Sequence, residues 1–199
     1  MKSLKKLKTL RRELGFWNAG KYLFFTVLLE KVGISLLHVF SADGSARDGV
    51  SSTMDCDLYT SLGSLSDEDL ATLREYGGDR LILQFEQSFR GGCRCAILRD
   101  NERPACICWL RYANATLLGV PQRCVIIEKC FTLPGYRGKG LYPNLLRIIV
   151  SDYVRIGFPC FIECIVGNKP SERGIRKAGF HHAGYIFEVF GRRVQIPLL

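Results

Sequence analysis

The sequence predicts an α/β fold, and three observations lead there. Residues 125–132, VIIEKCFT, form an apolar β-type run that breaks at Pro134-Gly135, turns through Arg137-Gly138-Lys139-Gly140 and opens into a helix-spaced run ending near Val154. A second apolar run at 160–166 is followed by Gly167-Asn168 and a short helix closing at Lys177-Ala178-Gly179-Phe180. The length of 199 residues with 47% hydrophobic content suits one well-buried core, with an extension ahead of it.

In chain order, residues 1–53 read as a basic amphipathic helical extension and linker, and residues 54–199 as the folded domain. Leu4, Leu7, Leu10 and Leu14 fall at helix spacing with Lys and Arg between them. The aromatic and aliphatic run at 22–29 is stopped by Glu30-Lys31, too early to span a bilayer, and neither it nor the basic segment fits a signal peptide. Residues 41–53, SADGSARDGVSST, read as a linker. Residues 57–62 read as a first strand. Ser66 ahead of Asp67-Glu68-Asp69 caps a helix that stops at Gly77-Gly78, and a second helix covers 79–89 up to Gly91-Gly92. Residues 94–98 and 105–110 form a hairpin turning at 100–103, with Trp109 and Tyr112 as core aromatics or as the lining of a pocket. A closing hairpin spans 181–189 and 193–196 around Gly191.

The formal charge of +9 is uneven. Eight Lys/Arg against Glu13 and Glu30 up to Phe40 give the extension +6, which leaves +3 for the rest. No basic and aromatic platform appears in the folded part, so nucleic acid is not an expected partner. The extension either packs on the domain or a second subunit, or rests on an anionic membrane surface. Nine cysteines, an odd number set largely inside strand-like runs, read as reduced apolar thiols of a cytoplasmic protein, with the inner membrane face as a peripheral location. Cys93-x-Cys95 and Cys106-x-Cys108 would face each other across a hairpin, but the spacing is narrower than structural zinc sites use, so no metal is expected.

The glycine turn between strand and helix leaves backbone N–H groups at the positive end of a helix dipole, a place suited to phosphate, with Arg137 and Lys139 adding charge. The P-loop pattern fails because Lys139 is followed by Gly140. The dinucleotide pattern fails because Pro143 stands where its third glycine belongs. Arg137-Gly138-Lys139-Gly140-Leu141 resembles the acyl-CoA loop of the GNAT superfamily of N-acetyltransferases, [RQ]-x-x-G-x-[GA], with Tyr142 in place of its last small residue. Asn168 after the second strand, Ser171 and the K-x-G-F ending at Phe180 resemble that superfamily's second half. The N-terminal helices, the F-x-x-G-C of Phe89 to Cys93 and the Trp109 strand are loosely similar to members associated with bacterial surface-polysaccharide biosynthesis.

The resemblance implies a GNAT fold: a mixed, mostly antiparallel sheet flanked by helices, its two central parallel strands splayed apart. It also implies acyl transfer to a primary amine by direct attack, with acetyl-CoA or another acyl-CoA as donor and an amino sugar among the acceptors. Phe131, Thr132 and Leu133 would hold the pantetheine arm and thioester carbonyl. Arg137, Gly138, Lys139, Gly140, Leu141 and Tyr142 would hold the pyrophosphate, and Asn168 would lie beside the arm. Glu163 and Glu128 are the candidate bases, and a half-buried carboxylate has its pKa raised toward what that role needs. The tyrosine that many members use to protonate the leaving thiolate is Ile175 here, so Tyr185, Tyr142 or a water takes its place. The alternatives are a long-chain N-acyl amino acid synthase fed by acyl carrier protein, and a non-catalytic acyl-CoA-binding module.

Overall fold

The computed structural model describes residues 34–42, 56–117, 120–190 and 192–198. The expected helices before residue 34 and the remainder of the linker lie outside these residues. Eight strands form one sheet: β1 Ile34–Ala42, β2 Cys56–Tyr59, β3 Arg94–Asp100, β4 Arg103–Leu117, β5 Val120–Thr132, β6 Cys160–Ile165, β7 His181–Val189 and β8 Arg192–Pro197. Their order is β2-β3-β4-β5-β6-β1-β7-β8, and β5–β6 is parallel while the other neighbours are antiparallel. The helices are α1 Asp67–Arg90, α2 Leu141–Arg155 and α3 Lys169–Lys177.

The two faces of the sheet have separate cores. On one, Phe40, Leu98, Cys108, Ile127 and Ile162 pack against Leu145, Leu146, Ile149 and Ile175 of α2 and α3. On the other, Cys95, Ile97, Ile107 and Trp109 pack against Leu73 and Phe85 of α1. Burying each such side chain contributes roughly 1.5–3 kcal/mol. Cys95 thus lies on the α1 face and Cys106 and Cys108 on the α2 face, so the cysteine pairs expected to meet across the hairpin point apart. All nine cysteines are free.

The start of α1 is fixed as the sequence suggests. Ser66 Oγ accepts from Asp69 N–H at 3.1 Å, and the Asp69 carboxylate accepts from Ser66 N–H at 3.3 Å, a reciprocal cap worth about 1 kcal/mol. Asp69 is also held by both terminal nitrogens of Arg99, at 2.8 and 2.9 Å, which ties α1 to β3. The expected break at Gly77-Gly78 is a kink, with Gly78 at φ 67°, so two helical segments run on without a loop. Asn101 and Glu102, both at positive φ, make the two-residue turn of the β3–β4 hairpin.

One boundary is corrected. A division at residue 53 leaves 34–42 outside the domain, whereas β1 sits inside the sheet, paired with β6 from Leu37 to Ala42 and with β7 from Ile34 to Ser41. The residues ISLLHVFSA show no clean polar alternation, so period alone does not set this strand apart from the extension before it. Ser41 and Ala42 belong to this strand and not to a linker.

Candidate active site

β5 and β6 pair only at Val125–Cys160, Ile126–Phe161 and Ile127–Ile162. Beyond Ile127 each keeps its outer partner, β5 holding β4 and β6 holding β1, while the two no longer pair with each other. A wedge opens between them. A bulge on β5 shapes its mouth: Ile107 faces Phe131 and Trp109 faces Glu128, so Lys129 and Cys130 together oppose Cys108, and Lys129 takes φ 49°. The Leu133 N–H donates to the Ala105 carbonyl at 3.0 Å, and strand alternation turns the N–H of Thr132 the other way, into the wedge.

A cavity of about 580 Å³ continues from this wedge. Of the sequence-derived binding residues, Phe131, Thr132, Arg137, Gly138, Gly140, Leu141, Tyr142 and Asn168 line it. Gly138 and Gly140 have φ of 80° and 77°, and a Cβ on either would meet nothing within 4 Å. Glycine is required there by backbone conformation, and the space in front of it is open. Gly140 caps α2 and Pro143 has no N–H, so the amides at this helix end are those of Leu141 and Tyr142. Arg137 turns back to the Thr132 carbonyl at 3.2 Å. The other two differ from expectation. Leu133 is buried with its amide engaged by Ala105, and Lys139 points to Asp100 (4.0 Å) and over the Tyr136 ring, outside the cavity.

Asn168 caps α3, its Oδ1 accepting from Ser171 N–H at 3.3 Å. Ser171 in turn meets the Tyr142 hydroxyl at 3.3 Å. Burial, and then the neighbouring thiols of Cys130 and Cys108, push the Tyr142 phenol well above its ordinary pKa, so it keeps its proton. The sequence marks Tyr142 as a departure from a small residue, a member of the pyrophosphate loop and a candidate proton donor, but gives no partner for its ring. What accommodates it is Gly174, and no pattern in the sequence links the two positions.

A second cavity, of about 630 Å³, lies on the α1 face, with Phe85, Trp109, Phe131, Arg111 and Lys129 in its wall. Phe131 borders both cavities and its ring stacks on Tyr76 at 5.5 Å. Trp109, left open between core and pocket, serves as both, being 2% exposed yet part of this wall. Tyr112 lies on the opposite face, its hydroxyl donating to that of Tyr153.

The three catalytic candidates are not brought together. Glu128 stands at the bulge, its carboxylate 3.7 Å from Arg111 and 3.9 Å from the Cys93 thiol, both in the second cavity's wall. Glu163 is bound at 2.6 Å by Arg193 of β8 and lines neither cavity. Tyr185 lies on β7 against His38 and His182, apart from both cavities. His182 is half-buried, with Nε2 3.0 Å from His38 Nδ1, while His38 Nε2 lies 3.0 Å from Glu172. Burial, against the pull of Glu172, holds His38 below its ordinary pKa.

Among the described residues no cluster of three His, Cys, Asp or Glu could hold a metal ion, and no helix is long and apolar enough to cross a membrane.

A model of the acetyltransferase (GNAT) family matches residues 60–180. A search of curated proteins returns no match. Among solved structures, a GNAT-family protein from Novosphingobium aromaticivorans aligns over 83% of this chain and 66% of its own, at 15% identity and a TM-score of 0.56. A GNAT-family acetyltransferase from Colwellia psychrerythraea aligns over 79% and 56%, at 12% identity and a TM-score of 0.55. This chain therefore spans less than two thirds of the length of either. The aminoglycoside N-acetyltransferase AAC(6')-Iy, solved with a bisubstrate analogue, aligns over 66% and 92%, at 16% identity and a TM-score of 0.52. At these identities the likeness is one of fold.

Proposed function

Because the chain belongs to the acetyltransferase (GNAT) family, we propose that it moves an acetyl or other acyl group from acyl-CoA to a primary amine by direct attack. The observation that carries this reading is Phe131, which lines both the wedge cavity and the α1-face cavity. A donor reaching in from the glycine turn and an acceptor entering from the α1 face would meet there.

The wedge suits a pantetheine arm, which is extended and can pair with strand edges that have no neighbour. The pyrophosphate would lie over Gly138, Gly140 and the Leu141 and Tyr142 amides, where the α2 dipole favours an anion. The Thr132 N–H is aimed to donate to the thioester oxygen as negative charge develops on it. The amine lone pair forms the C–N bond, the C–S bond breaks, and the sulfur leaves with its electron pair. Glu128, at the acceptor side, accepts the ammonium proton. Tyr142, buried in the donor cavity with its proton retained, supplies one to the thiolate. Glu163 is not assigned the base, since Arg193 occupies its carboxylate.

A second reading, a non-catalytic acyl-CoA-binding module, draws on the ion pairs that both glutamates make. Calorimetric titration with acetyl-CoA, followed by turnover with a panel of amines, tests both. Donor binding with turnover is expected, donor binding alone across a broad panel would favour the module, and no donor binding would overturn the assignment of the wedge. Gly140→Val, strained at φ 77°, should abolish donor binding.

A further inference from the structure

In a regular strand Glu128 and Lys129 would point to opposite faces of the sheet. The bulge cancels that alternation. Glu128 contacts Arg111 and Cys93, and Lys129 Nζ donates to Ser88 Oγ of α1 at 3.2 Å, so both side chains are delivered to the α1 face. The conformation that does this, φ 49° at a lysine, is uncommon for a residue with a Cβ and costs about 1 kcal/mol or more. Lysine and not glycine occupies it, so the strain is borne with a charged side chain in place.

The resulting cavity has an aromatic floor. Phe85 and Trp109 meet edge to face at 4.8 Å, and Phe131 closes the end toward the wedge. Among the described residues its charged wall residues are Arg111 and Lys129, and the carboxylate that pairs with Arg111 is Glu128. The balance is two positive charges against one negative. An acceptor carrying several ammonium groups is repelled by such a wall. One that brings a single amine and its own anionic group is matched, with the amine toward Glu128 and the anion toward Lys129 and Arg111. The same two cations favour the neutral, nucleophilic form of the incoming amine.

Resting on the acyl-transfer reading above, we propose that the acceptor is an amine bearing an anionic group, a carboxylate or a phosphate-like group, beside an apolar or aromatic body. Lys129 and Arg111 determine that specificity.

The full-length protein with CoA bound is titrated with phenylalanine, its aminophosphonate analogue, phenethylamine and neamine, and the same series is repeated with Lys129→Met and Arg111→Met. At least one of the two anionic ligands should bind roughly tenfold or more tightly than phenethylamine, and neamine should bind weakest. The stronger of the two anionic ligands identifies the anion's source. Lys129→Met should remove the preference, with phenethylamine bound at least as tightly as by the wild-type protein. Equal or tighter binding of phenethylamine or neamine to the wild-type protein overturns the proposal, as does a preference that survives in both variants or an absence of binding by either anionic ligand. These outcomes are read from acceptor binding. Failure of the acyl-transfer reading would instead appear as absent CoA binding, or as bound acceptors that never turn over.

Discussion

The Tyr142 ring fills the space that a side chain at position 174 would need: a Cβ on Gly174 would stand 2.5 Å from ring carbon Cδ1 and 2.8 Å from Cε1. The two residues come from different helices, and the ring is what requires glycine at position 174. Gly174→Ala should push the ring out of the cavity, lowering stability by about 1–3 kcal/mol and weakening donor binding together. Thermal unfolding and calorimetry on one preparation check this.

Tyr142→Phe keeps the ring and removes only the hydroxyl. If the phenol protonates the departing thiolate, kcat should fall by about 100-fold or more with donor affinity nearly intact. A purely space-filling role would leave kcat where it was. Because burial raises the phenol above its ordinary value of 10, the proton stays on at and beyond that pH. The wild-type rate should therefore show no loss from this group as pH rises to 10.

Glu128→Gln and Glu163→Gln should behave differently. The first removes the proposed base and should cut turnover by about 100-fold without changing donor affinity. The second loses a partly exposed ion pair with Arg193, worth at most about 1 kcal/mol, and should leave turnover close to wild type. Paired kinetic and unfolding measurements separate the two, and the reverse ranking would move the base to Glu163.

Acid should loosen the seam between α1 and β3. Burial alone would raise the Asp69 pKa, but the Arg99 and Ser66 hydrogen bonds more than offset it and hold the carboxyl below its ordinary 3.8. A depressed carboxyl pKa gives stability that is complete above the unfolded value and is lost as pH falls through the folded one. Unfolding free energy should therefore drop below about pH 4, and Arg99→Met, which strands a buried carboxylate, should cost roughly 3–5 kcal/mol at neutral pH.

Removal of the chain through Ala42 should leave a product without cooperative unfolding, since β6 and β7 would lose the strand between them. Circular dichroism during thermal denaturation reads this, and a sharp transition in the truncated chain would contradict it.

Much of the domain was legible in the sequence because the signals are local. Gly138 and Gly140 needed only their spacing, the Ser66–Asp69 cap only its pattern, and Gly77-Gly78 only its composition. What escaped were features created by pairing. That Lys129 shares a face with Glu128 follows from a bulge that periodicity cannot show, and that Glu163 is neutralised depends on Arg193, thirty residues away and brought close by the sheet. Position 175 is an isoleucine packed in the core, and of the replacements the sequence offered for its phenol, Tyr142 of α2 lines the donor cavity while Tyr185 does not, a choice that rests on the packing of Tyr142 against Gly174.

The place of β1 also sets a timetable. Its slot is bounded by β6 and β7, so the first described strand of the chain has no complete binding site until residues beyond 180 have been synthesised. During translation Ile34–Ala42 has neither neighbour until β6 is made and only one until β7 follows, and its pairing joins parts of the chain separated by more than a hundred residues. Contacts so distant in sequence are slow to form, which makes this segment the natural point of engagement for a chaperone and the first place where a nascent chain would go astray.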